Sequence, residues 1–288
     1  MNFDALIESA WNEHGDRPHQ VADRLAVLLP MITTGEQVAP FARIVTHVYG
    51  EHLGQCDRGI SLLESVRRLP TYTDGPAVGG MITRSIATLR YVAGDPTGVN
   101  RLPLEERASA LATAASALTG REDWDRALAA YGQAVALASS LPAGSPAFRA
   151  LAIGGNNLSA ALEERPARSD AETQGMVAAA RGGLTFWRRA GTWLEEERAL
   201  YRLARSLLAA GEPQEAIEHA KQCVDVCTDN RAPAFESFFA WAVLARAYRE
   251  SDRATDYRKA RSQALDWFDK VPDEEREWCE ADLAELAY

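Results

Sequence analysis

Large apolar residues flank a small one at helical spacing in the segment Trp241-x2-Leu244-Ala245-x2-Tyr248. Residues three and four positions apart lie on one face of an α-helix, so this segment carries an apolar stripe with a small residue at its centre. The small residue allows another helix to approach closely, and the large side chains fill the space beside it. The spacing therefore predicts a helix packed tightly against a second helix.

The same arrangement occurs at three earlier places in the chain, each followed by a second helical stripe. The first stripes are Leu111-x2-Ala114-Ala115-x2-Leu118, Leu158-Ser159-x2-Leu162 and Leu200-x2-Leu203-Ala204-x2-Leu207. The second stripe at about residues 170–189 follows the pattern poorly. Alternating strand patterns are missing, and runs of valine, isoleucine and threonine are scarce. The sequence therefore predicts an all-α chain of antiparallel helix pairs.

These helix pairs resemble tetratricopeptide repeats, which carry this spacing in the first helix of each pair. The central small residues are 44, 45 and 41 positions apart, at Ala115, Ser159, Ala204 and Ala245. Because standard repeats recur every ~34 residues, these helices or turns are longer, as in some bacterial regulatory proteins. The resemblance implies a right-handed superhelical solenoid with a concave groove lined by the first helices. Such solenoids mostly bind proteins or peptides without transforming them.

Turn residues and repeat quality divide the chain into four segments. They are degenerate helical repeats in residues 1–93, an irregular connection in 94–103, tetratricopeptide-like repeats in 104–270 and a capping helix in 271–288. The connection is predicted because Pro96, Gly98 and Pro103 interrupt any helix there. A polar capping helix closes the open end of a repeat array.

The first segment follows the repeat pattern less closely. Residues 2–13 and 16–30 are expected to form a helix pair, with Trp11, Leu25 and Leu29 facing inward. Another helix is expected at about residues 76–93, but no partner helix for it is evident in the sequence.

Composition and charge limit the classes of partner. The chain has 288 residues, with 41 acidic and 31 basic side chains and a formal charge of -10. A negative field opposes binding to nucleic acid and to anionic membranes. The amino terminus has no basic leader followed by an apolar run, so we expect a cytoplasmic protein. Four scattered cysteines fit reduced thiols better than a disulfide framework.

The best candidate for a binding site is a cationic stripe on one repeat. Arg198, Tyr201, Arg202 and Arg205 are spaced i, i+3, i+4 and i+7, so they share a helical face. Comparable positions on the neighbouring repeats carry Asn156, Asn157, Phe239 and Arg246. We expect the arginines to take an acidic group, the asparagines to bond peptide backbone, and Tyr201 and Phe239 to contact apolar side chains.

Part of this stripe resembles the carboxylate clamp with which some tetratricopeptide domains hold a peptide's carboxyl terminus. Asn157, Arg198 and Arg202 match three clamp positions. Ala112 and Ser116 stand where the clamp has lysine and asparagine, so only half of it is present. The remaining half implies binding of an acidic group through guanidinium contacts.

Two structural alternatives compete with this interpretation. The glutamates at 195–197 would pair with the arginines along a solvated helix face, because charge runs on helices are usually solvated. Asn156 and Asn157 would bond backbone between adjacent helices. Either alternative leaves the stripe without a ligand.

Other constellations give no catalytic or metal site. His47, Glu51 and His52 offer possible ligands, but no HExxH arrangement is present and the sequence identifies no third ligand, so we expect no metal. Cys223 and Cys227 share a helical face and are expected to be small buried residues. No nucleophile elbow or phosphate loop is present, so we expect no enzymatic activity and no cofactor.

These inferences predict a protein- or peptide-binding scaffold or regulatory module, with an acidic or C-terminal carboxylate group as ligand. One alternative is a structural homo-oligomer, in the simplest case a homodimer, without an exchangeable ligand. A second alternative is a regulatory protein that senses a small ligand.

Overall fold

A computed structural model describes residues 2–287, and these residues contain helices and no strands. The α-helices are α1 (Phe3–Glu13), α2 (Pro18–Leu28), α3 (Val38–His47), α4 (Cys56–Val66), α5 (Met81–Val92), α6 (Thr97–Asn100), α7 (Leu104–Gly120), α8 (Trp124–Ala138), α9 (Ala147–Glu164), α10 (Asp170–Ala190), α11 (Trp193–Ala209), α12 (Pro213–Asn230), α13 (Ala234–Glu250), α14 (Ala254–Phe268) and α15 (Glu280–Glu285). The predicted all-α class is confirmed.

The chain divides into two compact units, Met1–Gly154 and Gly155–Tyr288, with the division inside α9. In the first unit, α7 packs against α8, and in the second, α11 packs against α12 and α13 against α14. Residues 94–103, where the sequence predicts an irregular connection, include the four-residue helix α6 and lie within the first unit.

The small residues at the centre of each predicted stripe are fully buried. Ala115, Ser159, Ala204 and Ala245 have no exposed surface. They lie on α7, α9, α11 and α13, the predicted first helices of the pairs. The helix spacing read from the sequence therefore identifies the close-packed face of each helix.

In the first third of the chain, the structure confirms a predicted helix pair but not the predicted burial of Trp11. Helices α1 and α2 lie where a pair was predicted, and Leu25 is fully buried. Trp11 was expected to face inward but is 37% exposed, and its ring contacts His14 and His47 near the end of α1. The helix predicted at residues 76–93 packs against α4, the partner that the sequence did not identify.

A π-helical turn, Val48–His52, extends α3. A π-helix has wider hydrogen-bonded turns than an α-helix, so it changes which residues share a face. At the other end of the chain, a 3-10 helix at Asp273–Cys279 leads into α15. Residues 273–287 are called the C-terminal segment below. None of the described helices is long and apolar enough to cross a membrane.

Candidate functional site

Helix α11 carries the predicted cationic stripe. A capping box formed by Thr192 and Glu195 starts the helix, since each side chain bonds the backbone of the other residue. Leu200 and Leu203 on one face are buried against the neighbouring helices. The stripe of Arg198, Tyr201, Arg202 and Arg205 runs along the same helix, as the spacing predicted. We call this stripe, together with Arg246 of α13, the arginine face.

Glu163 at the end of α9 binds two members of the arginine face. Its Oε2 lies 2.9 Å from Nη1 of Arg202, and its Oε1 lies 2.6 Å from Nε of Arg205. The Glu163 side chain is only 10% exposed. A carboxylate shared by two guanidinium groups at low exposure is held by charge-assisted hydrogen bonds.

Arg198 occupies the most open end of the face. Its Nη2 lies 2.5 Å from Oε1 of Glu236 on α13. The Arg198 side chain is 57% exposed, whereas that of Glu236 is 9% exposed. Arg198 therefore keeps donor capacity toward solvent while one side of its guanidinium group is occupied.

The C-terminal segment lies on the arginine face. Tyr201 donates a 2.7 Å hydrogen bond to Oδ1 of Asp282, and Nη1 of Arg205 lies 3.2 Å from the same oxygen. Arg246 binds Glu285 at 3.0 Å and Glu250 at 2.8 Å. The acidic helix α15 is thus held by cationic and phenolic groups from α11 and α13.

Burial and charge fix the protonation of these groups. Burial raises the pKa of Tyr201, and Asp282 raises it further, so the phenol remains a hydrogen-bond donor. Burial alone would lower the pKa of Arg205, but Tyr201, Glu163 and Asp282 raise it above its ordinary value. Arg205 therefore stays charged, and Tyr201 stays protonated, in their contacts with Asp282.

Aromatic rings border the arginine face. The Tyr201 and Phe239 rings meet edge to face with centroids 5.5 Å apart, and Phe235 contacts Phe239 at 5.0 Å. Phe235 and Phe239 are partly exposed. The face thus combines hydrogen-bond donors with an aromatic border, and contact of Tyr201 and Phe239 with apolar ligand side chains stays a prediction.

The two asparagines have different positions on α9. Asn156 is half-buried, and a Cβ atom on Gly183 of α10 would come within 2.2 Å of its Oδ1. That amide lies in the packing between α9 and α10, where its Oδ1 has no hydrogen-bond partner. Asn157 is exposed. A ligand contact by either asparagine stays a prediction.

The three glutamates of the solvated alternative also bind other groups, although Glu195 and Glu197 both help to raise the pKa of Arg198. Glu195 belongs to the capping box of α11, and Glu196 pairs with Arg188 at 2.8 Å. Glu197 is 1% exposed and accepts a 3.1 Å hydrogen bond from the Cys223 thiol. Burial, with Glu236 nearby, raises the pKa of Glu197 to about 8.

Arg246 binds Glu250 of its own helix, but four other carboxylates that bind the arginines come from other helices, and the sequence did not indicate them. They are Glu163, Glu236, Asp282 and Glu285. Each lies tens of residues away from its partner in the chain, so no local pattern connects them. Cys223 and Cys227 are buried, as predicted.

Comparisons with known proteins support the fold. No family model matches the chain, and no curated protein matches it. Among solved structures, the crystal structure of RapI in its apo form is similar, with a TM-score of 0.55 and 11% identity. The similarity covers 99% of this chain and 70% of RapI. At that identity it supports a helical repeat fold and no particular family.

Proposed function

We propose that this protein binds another protein or a peptide, and that the arginine face takes an acidic helical segment of that partner. One observation carries the proposal: the chain's own acidic helix α15 is already bound there through its carboxylates. Tyr201, Arg205 and Arg246 supply the donors. The C-terminal segment is in this view an intramolecular occupant of the binding face.

The form of the contact supports an exchangeable occupant. Helix α15 spans only Glu280–Glu285, and ion pairs and a phenolic hydrogen bond hold it to the face. The Glu285 carboxylate that Arg246 binds is 36% exposed, and an ion pair of that exposure contributes about 0 to 1 kcal/mol, so a ligand with better geometry can compete for Arg246. Helical repeat folds commonly present such faces to partners. No catalytic group is needed for this function.

The proposed roles of the individual residues follow from their exposure. Arg202 and Arg205 bind carboxylates in the interior of the face, and Arg246 binds one at its far end. Arg198, the most exposed arginine, takes the acidic end of the ligand. Phe239 contacts an apolar ligand side chain, and the exposed Asn157 bonds ligand backbone.

A labelled peptide tests the proposal. Its sequence is that of residues 273–288, with serine in place of Cys279. We expect the double variant Asp282→Ala/Glu285→Ala, whose own segment is loosened, to bind the peptide at least about tenfold tighter than the wild type, because the intramolecular competitor is weakened. Fluorescence anisotropy measures both affinities.

Two controls define the result. Adding Arg205→Ala to the double variant should abolish binding, and a peptide with both carboxylates replaced by amides should not bind. Equal binding of the amide peptide contradicts the proposal. Light scattering on the same samples distinguishes the proposed peptide binding from the homo-oligomer alternative, which requires a stable dimer without added peptide.

A further inference from the structure

Three histidines from separate parts of the first unit meet at one place. His14 follows the last residue of α1, His47 ends α3, and His52 ends the π-helical turn. Their ring centroids form a nearly regular triangle: 4.7 Å from His14 to His47, 5.0 Å from His14 to His52 and 4.8 Å from His47 to His52. One ligand nitrogen from each lies within 4.8 Å of the other two.

The π-helical turn creates this juxtaposition. In an α-helix, residues i and i+5 point about 140° apart, so His47 and His52 would diverge. The wider π turn at Val48–His52 brings their Nε2 atoms to 3.1 Å from each other. Single π turns inside helices occur frequently at functional sites.

Hydrogen bonds orient two of the rings for metal binding. Nδ1 of His14 lies 2.5 Å from the carbonyl oxygen of Trp11, and Nδ1 of His47 lies 3.0 Å from Oε2 of Glu51. Carbonyl and carboxylate oxygens only accept, so each Nδ1 carries the proton and each Nε2 carries the lone pair. A carboxylate behind a histidine is the usual outer-shell partner in a metal site.

The position of Glu51 itself depends on a glycine. A Cβ atom on Gly120 of α7 would come within 2.3 Å of Cγ of Glu51. The bare backbone at Gly120 therefore leaves the space that the Glu51 side chain occupies. Glu51 and His47 are 22% and 24% exposed, so the cluster is shielded but reachable from solvent.

We propose that His14, His47 and His52 bind one late transition-metal ion of the zinc class, with Glu51 as a positioning residue behind His47. Zinc bonds to imidazole nitrogens at ~2.0–2.1 Å, and two nitrogens on a tetrahedral zinc are therefore about 3.3 Å apart. The 3.1 Å separation of His47 and His52 is close to this value. A ligand nitrogen of His14 lies within 4.8 Å of those of the other two, so the His14 ring must move toward them when the ion binds.

Ligand chemistry selects the class of ion. Three imidazoles suit zinc, copper, nickel and cobalt, whereas magnesium and calcium require oxygen ligands. Three protein ligands leave a fourth position of a tetrahedral ion for water or another ligand. On binding, His52 gives its Nε2 lone pair to the ion and carries its proton on Nδ1. The ion would link the end of α1 to the end of α3.

Calorimetric titration of the untagged full-length protein with zinc chloride tests the site. We expect one zinc per chain, and His14→Ala, His47→Ala and His52→Ala should each lower the affinity at least about tenfold. Glu51→Gln should weaken binding by about 10- to 100-fold. The matched control is His19→Ala, which removes an exposed histidine on α2 and should bind like the wild type.

The absorption spectrum of the wild-type protein with cobalt(II) gives a second readout that needs no variant. A four-coordinate ion has intense visible bands, and free octahedral cobalt(II) has weak ones. The intense spectrum, lost on adding one equivalent of zinc, supports the proposal. Absence of zinc uptake by the wild type, undiminished binding by His14→Ala, or only the weak cobalt spectrum would overturn it.

Discussion

Tyr201 on α11 donates a 2.7 Å hydrogen bond to the carboxylate of Asp282, a residue 81 positions further along the chain. Arg205, one helical turn after Tyr201, binds both the phenol oxygen and the same carboxylate. The Asp282 carboxylate therefore accepts hydrogen bonds from both the Tyr201 hydroxyl and the Arg205 guanidinium group, and Arg205 also donates to the Tyr201 oxygen. This contact pins the C-terminal segment to the arginine face.

Asp282→Ala should release α15 without unfolding the second unit. The substitution leaves Tyr201 without its carboxylate acceptor and removes one of the carboxylates that Arg205 binds, and a six-residue helix has little stability of its own. Hydrogen exchange should show faster exchange of the backbone amides in residues 280–285, with α11 still protected. The control is Glu250→Gln, which removes an Arg246 partner outside α15. Unchanged protection of α15 in Asp282→Ala would show that the Asp282 contacts do not hold it.

Glu163→Gln should destabilise the second unit by about 2 to 4 kcal/mol. Removing one partner of a largely buried ion pair leaves uncompensated charge, and here two arginines lose their shared acceptor. Denaturant unfolding measures the change. The adjacent Glu164 is exposed, so Glu164→Gln should stay within about 0.5 kcal/mol of the wild type. Equal effects of the two substitutions would contradict the buried network.

Glu197 should make stability fall as the pH rises. Its pKa is raised from 4.5 to about 8 in the folded chain, so between these values the folded state binds more protons than the unfolded state. The contribution is fully present below pH 4.5 and is lost as the pH approaches 8, by at most about 1.4 kcal/mol per pH unit. Glu197→Gln should therefore unfold with a smaller pH dependence than the wild type. Parallel pH profiles would contradict the assignment.

Two glycine substitutions should have opposite effects in the first unit. A Cβ atom on Gly59 of α4 would lie 2.8 Å from Cβ of Tyr49 and 2.9 Å from Cδ1 of Leu89. Because the Tyr49 Cβ is fixed by its backbone, Gly59→Ala should cost about 1 to 3 kcal/mol. Gly132 of α8 has no atom within 4 Å of that position, so Gly132→Ala should stabilise by about 1 kcal/mol through helix propensity. Thermal unfolding of the two variants and the wild type measures both changes in stability.

The features that could be predicted from the sequence follow from the spacing of residues within single helices. Helix positions and the buried residues Ala115, Ser159, Ala204 and Ala245 follow from periodicity within single helices. The shared face of the α11 arginines follows from the same periodicity. These features need no knowledge of which distant elements meet.

The features that could not be predicted from the sequence depend on contacts between residues far apart in the chain. Pairing of Arg205 with Asp282 depends on where the C-terminal segment returns to the fold. The cluster of His14, His47 and His52 depends on a π turn. In a regular α-helix the side chains of His47 and His52 would point in different directions, whereas the π turn brings them together. Trp11 was predicted to face inward in the helix pair of residues 2–13 and 16–30, yet it is 37% exposed and borders the histidine cluster.

Displacement of α15 by an added peptide is the most direct test of the arginine face. Hydrogen exchange of the full-length wild-type protein is followed in residues 280–285 while the peptide with the sequence of residues 273–288 is added. We expect saturating peptide to speed exchange of α15, and the peptide with amides in place of the Asp282 and Glu285 carboxylates to leave it unchanged. Peptide binding that leaves α15 fully protected would contradict the account, because the ligand would then occupy another surface.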